Sequence, residues 1–195
     1  MSSKWIETTN GNRISKSANI KGSRRILISG MCLVSEGCML DGEVIVSNDD
    51  SYTISMGMFC VMHRNCVIRP PKINHLMRKD SREKAALHTP LLMGSFILIK
   101  EGAHISSCKL GRRIIIGENA KLLPRRTLED SIIIDDGVTV PENIHIPSYT
   151  RVRQHPQWSK SISLEPLSAS IRTLIESWCK QEYLGININI SDELP

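Results

Sequence analysis

Aromatic residues are scarce in this chain of 195 residues, because Phe, Trp and Tyr together make up only 4% of it. Long apolar runs are missing as well, since no hydrophobic stretch approaches the roughly 20 residues that a transmembrane helix needs. The sequence therefore predicts no direct membrane insertion. The first twelve residues are polar and do not resemble a signal peptide. We expect a cytoplasmic protein whose six cysteines stay reduced.

The charge balance is mildly basic, with a formal net charge of +5 at pH 7. No nucleic-acid-binding motif accompanies this charge, so we predict no nucleic-acid partner and regard acidic protein surfaces as better candidates. The composition is globular, with 41% hydrophobic and 23% charged residues. This length fits one ordinary domain, and the abundance of isoleucine favours strands.

An aliphatic residue recurs every six positions from Met93 onward, with one step of five at the unit ISSCK. The second residue of a unit is often Gly, Asp or Pro, which suit corners. Neither the helical nor the simple strand period produces this spacing, whereas one short strand and one corner per unit does. Three units make a triangular coil, and stacked coils form a parallel β-helix with the lead residues in its core. The predicted lead residues are Met93, Ile99, Ile105, Leu110, Ile116, Leu122, Leu128, Ile134, Val140, Ile146 and Val152.

The N-terminal half follows the same period with interruptions. Stretches near 47–55 and 71–92 break it, and we interpret both as external loops at a corner, because insertions in solenoids bulge outward. The β-helix is therefore predicted over residues 14–153, after a lead-in over 1–13. Its N-terminal lead residues are predicted to be Ile14, Ile20, Ile28, Val34, Leu40, Val46, Met56, Met62 and Ile68.

The period changes after Val152. Apolar residues from Leu164 to Trp178 recur at spacings of three and four, which predicts an amphipathic helix within the segment 154–185, beginning near Ser163 and ending near Gly185. We expect this helix to lie along one face of the solenoid and to cover its last coil or an exposed edge. Residues 186–195 alternate and then turn acidic, which predicts a flexible tail or a segment that adds to a neighbour.

The stretch FCVMHRNC has the composition of a metal site, with Cys60, His63 and Cys66 evenly spaced. In the six-residue phase, however, Cys32, Cys38, Cys60 and Cys66 all take the fifth position of a unit, where small apolar residues point inward. His63 takes a corner position and is expected to point away. Zinc ligands normally come in pairs two to four residues apart on one turn. We therefore assign no metal here.

Hexapeptide-repeat proteins include acyltransferases, γ-class carbonic anhydrases and scaffolding subunits, and the fold alone does not choose among them. A carbonic anhydrase of this kind carries a histidine after an Ile-Gly lead, where this chain has Glu118. An acyltransferase needs a histidine base in a cleft between subunits, for which His75 and His88 are the candidates. A homotrimeric enzyme stays open as the alternative, but we assign no catalytic residue and no cofactor.

Three stretches, WIETTNGNRIS, CVIRPP and GENAKLLPRRTLEDSIIIDDGVTVPENIHIPSYTRV, resemble the dynactin subunit 5 family of the dynactin pointed-end complex. The resemblance implies a left-handed β-helix without enzymatic activity. It implies pairing with a second β-helix like dynactin subunit 6, in a cap with a pointed-end actin-related protein and dynactin subunit 4. The cap contributes to the engagement of dynein adaptors and cargo in microtubule-based transport, so a cytoskeleton-associated location is implied too.

Basic residues are concentrated in the second interruption, and another basic pair, Arg112 and Arg113, lies on the β-helix faces. Lysine and arginine outnumber acidic residues between Pro71 and Met93, which suggests a contact with an acidic adaptor or a neighbouring subunit. The motif CVIRPP just before it adds two more candidates. The predicted partner-binding residues are Arg69, Pro70, Lys72, Arg78, Lys79, Arg82, Lys84, Arg112 and Arg113.

Overall fold

The structure is a computed structural model that describes residues 4–46, 52–77, 84–107, 109–124, 127–142, 144–155, 157 and 161–185, without side chains for 73–77 and 84–85. Short strands dominate, together with one helical turn at Ser23–Arg25 and one helix, α1, at Ile171–Leu184. The strands are β1 (Trp5–Glu7), β2 (Arg13–Ser15), β3 (Asn19–Lys21), β4 (Ile26–Gly30), β5 (Leu33–Val34), β6 (Met39–Asp41), β7 (Ile45–Val46), β8 (Ile54–Met58), β9 (Val61–Met62), β10 (Val67–Ile68), β11 (Lys72–Met77), β12 (Lys84–His88), β13 (Leu91–Met93), β14 (Ile97–Ile99), β15 (His104–Ile105), β16 (Lys109–Leu110), β17 (Ile114–Ile116), β18 (Lys121–Leu122), β19 (Thr127–Leu128), β20 (Ile132–Ile134), β21 (Thr139–Val140), β22 (His145–Ile146), β23 (Thr150–Gln154) and β24 (Ile162–Pro166).

Three parallel sheets form a triangular prism, as the six-residue period predicts. Face A contains β2, β5, β9, β14, β17, β20 and β23; face B contains β3, β6, β10, β15, β18 and β21; face C contains β4, β8, β13, β16, β19 and β22. Each coil takes one strand from each face, so that Ile99, Ile105 and Leu110 belong to one coil, the fourth. All eleven lead residues from Met93 to Val152 are buried in one core. The predicted parallel β-helix with a C-terminal helix is confirmed.

The corners of the prism contain residues in the left-handed conformation, and two different kinds of residue take it. Between faces A and B the chain turns through left-handed residues such as Gly37, Asn65 and Gly102, which tolerate that conformation well. Between faces C and A the same conformation falls on Phe59, Phe96 and other bulky residues. A left-handed conformation costs about 1 kcal/mol or more for such residues, so their side chains must be needed at that corner. The full set there is Met31, Phe59, Phe96, Arg113, Ser131 and Tyr149.

Face A is closed at both ends by antiparallel strands. β1 pairs with β2 at the N-terminal end, and β24 pairs with β23 at the C-terminal end. The expectation that the helix begins near Ser163 is therefore wrong, because residues 162–166 form β24 and Leu164 lies opposite Val152. Helix α1 begins only at Ile171 and ends at Leu184, and Gly185 follows as its C-cap with a left-handed φ of 83°. The apolar spacing of three and four residues that begins at Leu164 therefore includes residues of strand β24 as well as of the helix.

Two strands of the second interruption and β7, which lies just before the first interruption, form a small side sheet in the order β11, β12, β7. Both interruptions leave the prism at the corner between faces B and C, in successive coils, and β12 pairs in parallel with β7. Val46 is therefore not a lead residue of the prism: it lies opposite His88, while Met56 takes the place beside Ile28. The stretch 71–92, expected as a loop, contains the antiparallel pair β11 and β12. Residues 47–51 of the first interruption lie outside the described residues.

Candidate interaction surface

Face A has an apolar outer surface, and the chain's own helix α1 covers it. In β14, β17 and β20 all three residues are buried, because the outer residue packs under α1 while the other two point into the core. The outer row and the helix form a second hydrophobic cluster. Its members are Val61, Leu98, Ile115, Ile133, Ile171, Ile175, Trp178, Cys179 and Tyr183.

Helix α1 runs from the last coil back toward the first. Its helical pitch of about 5.4 Å is close to the coil spacing of about 4.8 Å, so each turn passes roughly one coil. Glu176 meets Arg113, Lys180 lies over the ring of Phe96, and Tyr183 meets Phe59 edge-on. Arg113, Phe96 and Phe59, three left-handed residues at the corner between faces C and A, therefore form one side wall of the groove that holds the helix.

The C-terminal end of α1 is fixed to the first and third coils. The Tyr183 hydroxyl donates to the Gly11 carbonyl at 2.8 Å, and the Arg13 guanidinium donates to the Tyr183 carbonyl at 3.1 Å. His63 Nε2 lies 3.2 Å from a Glu182 carboxylate oxygen. These contacts cover the N-terminal end of face A with the chain's own groups, whereas α1 does not contact faces B and C through them.

Arg113, one of the predicted partner-binding residues, is buried rather than exposed. It is only 8% exposed, and its guanidinium lies between the solenoid and α1, 3.1 Å from Asp130 and 3.2 Å from Glu176. It also donates to the Ser131 hydroxyl at 3.4 Å. Its neighbour Arg112 is exposed and pairs with Asp130 at 3.2 Å. The two adjacent arginines thus have different roles, because the left-handed corner turns one of them under the helix.

Arg69, Pro70 and Lys72 lie together at the base of the side sheet. They line a groove of about 310 Å³ together with Ala86, His88, Ser106 and Pro124. Pro70 is buried and Lys72 exposed, while Arg69 pairs with Asp41 at 3.2 Å. Lys84 begins β12 without a described side chain, and the predicted partner residues Arg78, Lys79 and Arg82 lie outside the described residues.

The cysteines at the fifth position of their units are buried in the core. Each donates to a backbone carbonyl of the next coil, for example Cys38 to His63 at 2.8 Å and Cys60 to Gly94 at 3.2 Å. A hydrogen bond with Cys32 and burial raise the pKa of the Cys60 thiol well above its usual range. Burial likewise raises the pKa of the Cys179 thiol under the helix. These groups act as small apolar residues that also satisfy corner carbonyls.

The histidines are engaged separately from one another. His88 is buried, and its Nδ1 donates to the Pro70 carbonyl at 2.8 Å. His145 pairs with Glu129 at 2.9 Å on face C, whereas His63 belongs to the helix contact on face A. No group of three possible metal ligands occurs among the described residues. His75 lies in β11 without a described side chain.

Face C carries exposed apolar side chains that the sequence analysis did not single out. Leu27, Ser55 and Leu92 lie opposite one another in successive strands, and the two leucines are 38% and 48% exposed. Met58 is exposed nearby. The residue before each lead position points outward, so an aliphatic residue there was the signal that could have identified this row.

Comparisons with known proteins agree with this geometry. A family model described as dynactin subunit 5 matches residues 1–182. Dynactin subunit 5 of Dictyostelium discoideum is 29% identical over 110 residues, a stretch that spans 56% of this chain and about half, 48%, of that relative. A hexapeptide transferase family protein from Anaplasma phagocytophilum has a TM-score of 0.50 at 14% identity and covers 90% of both chains. An acetyltransferase domain from Neisseria gonorrhoeae has a TM-score of 0.45 at 16% identity, and the matched region covers 80% of this chain and 57% of that protein's chain.

The solved structures share less than a fifth of their residues with this chain, so their likeness concerns the fold alone. The likeness to the Anaplasma protein and the stacked faces together define a hexapeptide-repeat protein with a left-handed parallel β-helix. The family model covers nearly the whole chain. The chain belongs to the dynactin subunit 5 family.

Proposed function

We propose that this chain is a non-enzymatic structural subunit of the dynactin pointed-end complex. The observation that carries the proposal is the family match over residues 1–182. The structure adds support, because one face of the prism is closed by the chain's own helix while faces B and C keep outward rows available for other subunits. A scaffold needs such surfaces and no reaction centre.

The proposed partners are a second hexapeptide-repeat subunit like dynactin subunit 6, the pointed-end actin-related protein and dynactin subunit 4. Dynein adaptors follow, with a role in cargo engagement during microtubule-based transport. The exposed leucines Leu27 and Leu92 on face C fit a subunit contact, because aliphatic side chains of this size are usually covered in the centre of an interface. Arg69, Lys72 and Arg112, with the basic residues Arg78, Lys79, Arg82 and Lys84, remain the proposed charged contacts, and the apolar, buried Pro70 remains proposed beside them.

The proposed location is the cytoplasm, in association with the cytoskeleton. It follows from membership of a dynactin complex and is a proposal for this chain. Within the described part of the chain, no helix combines the length and apolarity needed to span a membrane.

A tagged copy of the full chain, recovered from the cytosol of its source organism, tests the proposal. We expect a second hexapeptide-repeat protein, an actin-related protein and dynein components to be recovered with it. Leu92→Glu on face C should reduce this recovery at least tenfold, since a buried unpaired charge costs more than 1.4 kcal/mol. Thr127→Glu, on the outer row of the same face but exposed and polar, is the matched control.

The opposing result is a homotrimer with none of these proteins attached, observed by light scattering on the purified chain. That result would favour the enzymatic alternative, an acyltransferase or a metal enzyme of the carbonic anhydrase type. A variant with His75 and His88 both replaced by alanine separates the two cases. Partner recovery should persist in that variant if the chain is a scaffold, whereas acetyl-transfer activity would be abolished if the chain is an enzyme.

A further inference from the structure

The side sheet steps outward from the prism in a regular way. β7 leaves the second coil, β12 leaves the third and pairs with β7 in parallel, and β11 follows as the next strand in the order. With six residues, β11 is longer than any other described strand. Within the described residues, it pairs with β12 alone. Its second edge therefore faces along the axis toward the later coils.

The later coils supply no described strand beside β11, because their corners between faces B and C are short. The fourth coil passes from β15 to β16 through Ser106, and the fifth passes from β18 to β19 through Pro124. Both residues line the groove that also contacts the beginning of β11. The groove thus lies below the position where one more strand would continue the side sheet, and an extended backbone is the natural complement of a strand edge.

The walls of this groove favour negative charge. Its two charged lining residues, Arg69 and Lys72, are both basic. Arg69 already pairs with Asp41 at 3.2 Å, whereas Lys72 is exposed at the start of β11. His88 is held by its hydrogen bond to the Pro70 carbonyl. A carbonyl only accepts, so Nδ1 of His88 donates this hydrogen bond. The groove therefore offers the exposed cation of Lys72 to a carboxylate, beside a strand edge with which an extended backbone can pair.

We propose that β11 binds an extended acidic peptide segment of a partner protein as an additional strand of the side sheet. The backbone of the segment pairs with the outer edge of Lys72–Met77, and its carboxylates lie against Lys72 and Arg69. The proposal concerns the chemistry of this edge and holds whichever assembly supplies the segment.

The test uses the purified full chain and a fluorescent peptide of about eight residues, enough to extend past β11 at both ends. The probe alternates Glu with Val, and the comparison peptide alternates Lys with Val. Fluorescence anisotropy should show saturable binding of the acidic probe and at least fivefold weaker binding of the basic one. Lys72→Glu should weaken the acidic probe about five- to tenfold. Lys121→Glu, an exposed lysine on face B, should leave its affinity unchanged.

Hydrogen–deuterium exchange distinguishes strand addition from contact through side chains alone. Saturating acidic probe should slow amide exchange within residues 72–77, because added backbone hydrogen bonds protect the outer edge. The proposal is overturned if the acidic probe does not bind up to about 1 mM, if both peptides bind equally, or if exchange in 72–77 is unchanged at saturation. None of these results bears on recovery of the dynactin subunits, so the proposed function is tested independently.

Discussion

Replacing Arg113 with alanine should destabilise the fold without touching a partner surface. The Arg113 side chain is 10% exposed, while Asp130 and Glu176 are each 31% exposed. Breaking a fully buried ion pair costs about 3 to 5 kcal/mol. Because water can reach both carboxylates after the change, we expect a smaller loss of about 2 kcal/mol in the free energy of unfolding, including the packing of the arginine stem.

Two companion variants make the argument specific. Arg113→Gly loses the same ion pairs but relieves the left-handed conformation at φ 60°, which is worth about 1 kcal/mol, so its net loss should be about 1 kcal/mol. Arg112→Ala removes an exposed pair and should change the free energy by less than about 0.5 kcal/mol. Urea unfolding followed by far-ultraviolet circular dichroism, with tryptophan fluorescence, to which the buried Trp178 contributes, as a second probe, measures all three.

The ranking of the three variants by their free energy of unfolding is the critical result. If Arg113→Ala is as stable as the original chain, the guanidinium does not hold α1 to the solenoid, and the assignment of Arg113 to the interior is refuted. If Arg113→Gly is less stable than Arg113→Ala, the left-handed corner carries no strain. A loss of partner recovery at unchanged stability would restore Arg113 as a partner contact.

Three further changes test other parts of the structure. Trp178→Ala should lower the free energy of unfolding by about 3 to 5 kcal/mol, in the same urea titration, because this side chain is 1% exposed under face A. Gly111→Ala would place a Cβ 2.5 Å from the Glu129 carbonyl oxygen, so we expect the free energy of unfolding to fall by about 3 kcal/mol. The matched variant Gly137→Ala, where nothing lies within 4 Å of the new Cβ, should lose only about 1 kcal/mol. Ser148→Ala removes the hydroxyl hydrogen bond that does most to lower the pKa of Glu129, so an NMR titration should find this pKa closer to its usual value. Since the folded-state pKa of Glu129 is lowered, the stabilisation it provides is present above the unfolded-state pKa and is lost as the pH falls through the folded-state pKa.

The sequence predicted the prism well because its period is set by backbone geometry. One strand and one corner need about six residues, and each lead residue must fill a narrow core, so the aliphatic spacing determines both coil and register. The same phase placed Cys60 and Cys66 inward and His63 at a corner, and the structure confirms all three positions. The predictions succeeded wherever one coil repeats the previous one.

The misplaced elements depend on contacts between distant segments. β24 has the same apolar spacing as the helix that follows, and only its pairing with β23 makes it a strand. Likewise, β7 and β12 are strands because two interruptions leave the same corner in successive coils. One local signal for face A was available, however. Three aliphatic residues in a row, as at 114–116 and 132–134, are typical of a strand buried on both sides, and they identify the face that α1 covers.

The irregular half of the solenoid has the surfaces that best suit partners. In the first three coils the outward rows contain Leu27 and Leu92 on face C and Val67 on face B, and the side sheet leaves the same half. In the next three coils the outward residues are polar, namely His104, Lys121 and Thr139 on face B and Lys109, Thr127 and His145 on face C. A solenoid that only needed to fold could repeat its most regular coil throughout. Departures from the repeat that coincide with exposed apolar residues are therefore the reason for proposing these surfaces as subunit contacts.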